Sequence, residues 1–218
     1  MRIPPAILAI GRNYADHAAE MGGKTDERPM MFMKNPACVC GNGDIIRIPT
    51  ICLENGPQVD YEGELAVEIA RDCRDVAQSD AASVIAGYRV ANDVSARWWQ
   101  KSGSGGQFSR GKSFDTFCPM SELVPTKAVG DVQDLDIETI LNGTRVQHAN
   151  TRLMVFSVHF LIAELSRSMT LLAGTIILTG TPAGVGAGRT PPLFLKDGDT
   201  IEVRIARVGH LVNTVRQE

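Results

Sequence analysis

Glu62 and Glu64, in the run Val59-Asp60-Tyr61-Glu62-Gly63-Glu64-Leu65-Ala66-Val67-Glu68-Ile69, and Asp93, in Ala91-Asn92-Asp93-Val94-Ser95-Ala96-Arg97, are the residues of this chain whose types and spacing could do chemistry. Residues i and i+2 of a strand point to one face, about 6.5–7 Å apart along the chain, so both glutamates can reach a single cation. Carboxylate oxygens with no cysteine or histidine beside them suit Mg²⁺, or Mn²⁺, rather than Zn²⁺. Each carboxylate alone reads better as a solvated strand-face residue. Their context along the chain is what points to a site.

Holding them in place requires strands. From Glu64 to Ile69 polar and apolar residues alternate, the pattern of a half-buried strand. Glu62, Glu64 and Glu68 then share one side, and Leu65, Val67 and Ile69 the other. A second apolar stretch, residues 84–91, carries Asp93 to its end. Further strands are expected at Ile45–Ile48, residues 137–141, residues 175–178 and Thr200–Ile205, and helices at residues 13–21, 79–85 and 157–166. In the last of these, Val158, Leu161, Ile162 and Leu165 fall at i, i+3, i+4 and i+7, an apolar stripe that packs on a sheet. The 21 glycines and 11 prolines punctuate many short apolar runs. That argues for a β-rich α+β fold with few helices. A length of 218 residues suits a single catalytic domain over residues 1–218.

The composition, 44% hydrophobic and 22% charged, contains no apolar run of membrane-spanning length, so no membrane association is expected. The start, Met1-Arg2-Ile3-Pro4-Pro5, lacks the apolar core of a secretory signal, which predicts a cytoplasmic protein. Five cysteines, Cys38, Cys40, Cys52, Cys73 and Cys118, form no C-x-x-C pair, indicating neither a disulfide framework nor a zinc cage. A net charge of −3 with scattered Lys and Arg cannot neutralise a phosphate backbone, so nucleic acid is excluded as a partner.

Two glycine motifs are refused on their flanks. Gly106-Gln107-Phe108-Ser109-Arg110-Gly111-Lys112-Ser113 fits the phosphate loop of nucleotide hydrolases letter for letter. That loop works only between a buried strand and a helix N-terminus. Here Lys101-Ser102-Gly103-Ser104-Gly105, with no apolar run, precedes it, and Pro119 follows before a helix could develop; Ser102-Gly103-Ser104-Gly105-Gly106 reads as a mobile loop beside a site. Gly184-Val185-Gly186-Ala187-Gly188 resembles a dinucleotide turn, but Pro191 and Pro192 break the helix that should follow. A glycine loop that lets backbone approach a ligand remains open.

The other signals are Gly11-Arg12-Asn13-Tyr14-Ala15-Asp16-His17-Ala18-Ala19-Glu20-Met21, Phe32-Met33-Lys34-Asn35-Pro36, Arg110-Gly111-Lys112-Ser113-Phe114-Asp115 and Ile177-Leu178-Thr179-Gly180-Thr181-Pro182-Ala183-Gly184-Val185-Gly186. On a helix His17 and Glu20, at i and i+3, meet on one face, where the carboxylate could orient the imidazole and raise its basicity. The plainer reading of that pair is an exposed helix contact worth a few tenths of a kcal/mol. His148, His159 and His210 stand away from these motifs and read as surface or packing residues. Asn142-Gly143 reads as a hairpin turn.

Taken together and in this order, these segments resemble the fumarylacetoacetate hydrolase family over nearly the whole chain, from about Ile10 onward. The chain looks closest to its short single-domain members, the acylpyruvases and oxaloacetate decarboxylases. The resemblance implies a mixed β-sheet roll, usually a homodimer. It further implies that Glu62, Glu64 and Asp93 hold Mg²⁺, that His17 with Glu20 activates water on a lid, and that Lys112 handles substrate charge or protons. Lys34, Arg97, Gln100 and Thr181 align with substrate-contacting positions. Trp98 departs from the family pattern, which commonly has an acidic residue there.

Three carboxylates fill half of an octahedral shell and leave room for a 2-oxo acid to chelate through carboxylate and ketone. Breaking the neighbouring carbon–carbon bond yields an enolate whose charge a metal stabilises. The expected activity is therefore Mg²⁺-dependent hydrolysis of a 2,4-dioxo acid of the acylpyruvate type. Oxaloacetate decarboxylation or isomerisation of a 2-hydroxy-dienoate is the alternative on the same site. A nucleotide-binding protein using residues 106–113, or an idle scaffold, is the alternative of another class.

Overall fold

Two mixed sheets, packed face to face, carry the chain in a computed structural model that describes residues 2–218. The six-stranded sheet runs in the order Val124–Pro125, Ile85–Asn92, Gly63–Ile69, Ile176–Leu178, Ile7–Gly11, Met30–Lys34. Its neighbours are antiparallel except for Ile7–Gly11 beside Ile176–Leu178. The five-stranded sheet runs Thr144–Asn150, Asp136–Leu141, Thr200–Ile205, Gly209–Gln217, Ile45–Ile48, with only the last pair parallel. Asn142 and Gly143 both take positive φ, 50° and 79°, at the expected hairpin.

The main core lies between the sheets. Leu8, Ile10, Leu65, Val67 and Val90 of the larger sheet meet Ile137, Val203, Ile205 and Leu211 of the smaller one. The helix Val158–Ser166, whose Ser157 side chain caps the Phe160 N–H, adds Val158, Leu161, Ile162 and Leu165 to it. Each such side chain contributes about 1.5–3 kcal/mol on burial. The strand Gly63–Ile69 was expected to be half-buried, yet it is covered on both faces. Ala66 packs with Ile7, Ala9, Ala91 and Leu178 in a second layer that its alternation does not announce. Gly63 itself passes so close to the second sheet that a Cβ there would strike the Thr139 hydroxyl.

Other boundaries also differ. The helix expected over residues 13–21 is Ala15–Glu20, because the Asn13 side chain instead brackets Phe156, accepting its N–H at 2.7 Å and donating to its carbonyl at 3.0 Å. Residues 79–85 form a 3-10 run, Gln78–Val84, rather than an α-helix. Besides two-residue strands such as Val124–Pro125, four longer strands escaped the pattern: Ile7–Gly11, Met30–Lys34, Thr144–Asn150 and Gly209–Gln217. In Gly209–Gln217 the inward positions Leu211, Asn213 and Val215 include a buried Asn, whose amide donates to the Gly41 and Asp44 carbonyls. Met30–Lys34 has no β-branched residue, and as an edge strand it leaves Met31 and Met33 exposed. Among the described residues no helix is long and apolar enough to cross a membrane.

Candidate metal and acid–base site

The ladder that pairs Gly63 with Asn92 brings the ends of two strands together, so that the Asp93 N–H donates to the Glu62 carbonyl at 2.8 Å. Glu62, Glu64 and Asp93, all buried, each offer an oxygen, and these atoms lie within 4.8 Å of one another.

Counter-charges surround this cluster. Lys112 Nζ donates to Glu62 Oε2 at 2.7 Å, Asp93 Oδ2 at 2.6 Å and Ser95 Oγ at 2.7 Å, which occupies all its donors. Lys34 donates to Asp93 Oδ1 and to the Phe117 carbonyl. Arg97 reaches Glu62 Oε1 at 2.7 Å and Asp60 Oδ2 at 2.7 Å. Asp60, Glu62, Glu64 and Asp93 thus face Lys34, Arg97 and Lys112, leaving one negative charge over. It falls on Glu64, which has no cationic partner among the described residues and accepts a 2.7 Å hydrogen bond from the Gly180 N–H.

The ionisation of the groups follows the same geometry. Burial works to raise the Glu62 carboxyl, but Lys112 and Arg97 outweigh it and hold the group at about 2. Glu64 is pushed well above the ordinary carboxylate range, by burial first and then by Asp93 and Glu62. Lys34, which burial would lower, stays above its usual value beside Asp93. A buried carboxylate carrying surplus charge is what a hard divalent cation would satisfy, so the donor set fits such an ion.

His17 stands above the cluster on the helix Ala15–Glu20, with Nδ1 3.4 Å from Glu20 Oε2, a long and weak contact. Glu20 is gripped more firmly by the Gly184 N–H, at 3.0 and 3.1 Å from its two oxygens. Burial would raise the Glu20 carboxyl, but the bonds from His17 and Gly184 bring it below its ordinary value.

A cavity of about 130 Å³ opens over these groups, lined by His17, Glu62, Glu64, Arg97, Gln100, Lys112 and Thr181. Met21, Met30, Phe32 and Phe108 give it an apolar wall, and half-buried Arg12 and exposed Lys101 stand at its rim. A larger hollow of about 440 Å³ lies beside the Glu68–Arg89 ion pair and contains none of the expected residues.

Most of the residues singled out in the sequence therefore meet at one place. Lys34 is behind Asp93 and off the cavity wall. The Thr181 hydroxyl is engaged by the Gly63 carbonyl and Gln147, and Arg97 by two carboxylates and the Gln100 side-chain oxygen. Lys112, 2% exposed, already spends its three donors on Glu62, Asp93 and Ser95 rather than on a phosphate, and the four-residue helix Phe108–Gly111 falls inside the loop motif rather than after it. Asp60 was missed, although it precedes Glu62 by the same i, i+2 spacing that singled out Glu64. The glycine loop 184–188, left open in the sequence as backbone able to approach a ligand, turns its amides to the Glu20 and Asp60 carboxylates, and the Gly180 amide on Glu64 was missed because a backbone donor leaves no mark in a sequence.

The family model described as fumarylacetoacetate (FAA) hydrolase C-terminal matches residues 6–216. Among curated relatives, an oxaloacetate tautomerase of Bacillus subtilis is 45% identical over 212 residues, covering 96% of this chain and 69% of that protein. A 2,4-didehydro-3-deoxy-L-rhamnonate hydrolase of a Sphingomonas species is 45% identical over 205 residues, covering 93% and 70%. Among solved structures, a 5-carboxymethyl-2-hydroxymuconate delta-isomerase from Mycobacterium smegmatis superposes with a TM-score of 0.85 at 38% identity, covering 99% of this chain and 80% of the other.

Proposed function

This chain belongs to the fumarylacetoacetate hydrolase family, and from that premise we propose that it is a divalent-metal-dependent enzyme that moves a proton between the keto and enol forms of a short 2-oxo acid. The observation that carries this reading is the buried Glu62–Glu64–Asp93 cluster, one charge in surplus, opening into a cavity of only about 130 Å³ with His17 on its wall. Pockets for drug-sized ligands run to roughly 300–1,000 Å³, so the space favours a small acid.

A divalent cation bound by the three carboxylates would draw charge from the 2-oxo group and stabilise its enolate, most economically as Mg²⁺ or Mn²⁺. His17, with Glu20 beside Nδ1, takes the proton from the carbon next to the ketone and delivers it to the enolate oxygen, and in the reverse direction carries the enol O–H proton back to that carbon. Lys112 and Arg97 keep Glu62 ionised. Arg12 and Lys101 at the rim meet the far end of the substrate, and their charges suit a second carboxylate.

Hydrolysis of a 2,4-dioxo acid is the second reading, favoured by the His17–Glu20 pair, which can serve a water as well as a carbon acid. Proton transfer needs only substrate and base in the cavity, whereas hydrolysis must also admit a water and a distal acyl group. The test is to follow decay of the enol absorbance of oxaloacetate, and cleavage of acetylpyruvate, with Mg²⁺ and with chelator. Mg²⁺-dependent acceleration of the enol decay supports the first reading, and acceleration of cleavage alone supports the second. No acceleration of either would refute both.

A further inference from the structure

We propose that Asp60 and the loop 184–188 are a positioning link that ties the His17–Glu20 pair to the metal-ligand cluster, an inference that rests on the base-and-metal reading above. Asp60 is fully buried, and both of its oxygens are taken up on two sides. Oδ1 accepts the Tyr61 N–H at 2.9 Å and the Gly186 N–H at 2.7 Å. Oδ2 accepts the Ala187 N–H at 2.9 Å and Arg97 Nε at 2.8 Å. The same guanidinium reaches Glu62 Oε1 at 2.7 Å. At the other end of the loop, the Gly184 N–H holds the Glu20 carboxylate. An unbroken polar path therefore runs from Glu20 through the loop backbone to Asp60, Arg97 and Glu62.

The glycines are what bring this backbone against two carboxylates at once. A Cβ on Gly186 would come within 2.7 Å of Asp60 Oδ1, one on Gly188 would strike the Glu20 carboxyl group, and Gly184 has φ +107°. Asp60 has no substitute in this position. An asparagine turns one of the two acceptor oxygens into a donor: with its oxygen at Oδ1 it loses the Ala187 N–H and Arg97, with its oxygen at Oδ2 it loses the Tyr61 and Gly186 N–H, and either way the carboxylate charge is gone. Arg97 then loses the charge that shares it with Glu62, and the ligand's orientation is no longer set by the loop. Outer groups of this kind typically change metal affinity about 10–100-fold when altered.

The test reads Mn²⁺ affinity without substrate, from the electron paramagnetic resonance signal of free Mn²⁺, on folded protein of each variant. Asp60→Asn is expected to weaken binding about 10–100-fold, although Asp60 is not a ligand. Glu20→Ala, which frees the loop's far end, is expected to weaken it roughly 2- to 30-fold. Glu20→Gln removes the same charge but keeps an oxygen for the Gly184 N–H, and leaves the affinity close to wild type. In the Asp60→Asn background Glu20→Ala adds nothing, because the path is already cut. Should Asp60→Asn fail to fold, Gly188→Ala displaces the loop from Glu20 without touching a cluster residue and lowers affinity in the same direction. Equal losses in Glu20→Ala and Glu20→Gln, or losses from Asp60→Asn and Glu20→Ala that simply multiply, would overturn the link. A packing role alone would lower the melting temperature and leave the affinity unchanged, which also overturns it. Absence of Mn²⁺ binding by the wild type would instead remove the metal site on which the inference rests.

Discussion

Glu64→Gln should stabilise the metal-free protein and abolish its stabilisation by Mg²⁺, two effects of opposite sign from one substitution. Glu64 is 2% exposed, holds the surplus charge of the cluster and among the described residues has only the Gly180 N–H as hydrogen-bond partner. Glutamine keeps the shape and an oxygen for that amide, so what changes is the charge. Relieving a buried group of this kind is worth about 1–3 kcal/mol, and for a chain of this length each kcal/mol moves Tm by about 2–4 °C. The expected rise in metal-free Tm is therefore about 2–12 °C. Because burial, Asp93 and Glu62 raise the Glu64 carboxyl, the folded wild type binds more protons than the unfolded chain above the ordinary glutamate range. Its stability thus falls as pH climbs from that range toward the raised folded value, while the variant lacks this fall. The advantage of Glu64→Gln should vanish near pH 4 and be largest at neutral pH. Mg²⁺ at a hundred times its Kd stabilises a binding protein by about 2.7 kcal/mol, an increment expected in wild type and absent in the variant. Scanning calorimetry between pH 4 and 8, with chelator and with Mg²⁺, reads both. A variant less stable than wild type in chelator at pH 7, or one that keeps the full Mg²⁺ increment, would refute the charge argument.

Three further outcomes follow from the same geometry. His17→Ala should lower enol–keto turnover about 10²–10⁴-fold with Mn²⁺ affinity little changed, as checked by steady-state kinetics beside metal titration. Lys112→Met removes the ammonium shared by Glu62 and Asp93 and should cost about 3–5 kcal/mol in chelator, much of it restored by Mg²⁺, measured by urea unfolding with and without the metal. ATP and GTP should show no saturable binding at residues 106–113, since Lys112 is enclosed by carboxylates; micromolar affinity by calorimetry that Lys112→Ala abolishes would contradict this.

Chemistry that depends on side-chain type and short spacing was legible in the sequence. Glu62 and Glu64 at i, i+2, Asp93 at the end of an apolar run, and His17 and Glu20 one helical turn apart all needed only local periodicity to be noticed. The amphipathic stripe of Val158–Ser166 and the turn at Asn142-Gly143 are likewise local, and both appear where the pattern put them. The phosphate-loop match failed on its flanks alone. Motif order along the chain carried the family.

Tertiary structure decided what each charge faces. Nothing near Lys34 in sequence says that its ammonium lies behind Asp93, 59 residues away, rather than on the cavity wall. Glu62 acquires Arg97 and Lys112, and Glu64 acquires neither, because two strands and a short helix converge at one end of a sheet. Asp60 has the same spacing as the other carboxylates, yet it becomes a link between loop and cluster only when the backbone amides of Gly186 and Ala187 arrive from 126 and 127 residues away. Side-chain identity and periodicity are properties of a segment, so the sequence displays them. Burial, counter-charge and backbone donors are properties of what surrounds a segment, and only the packed chain sets them.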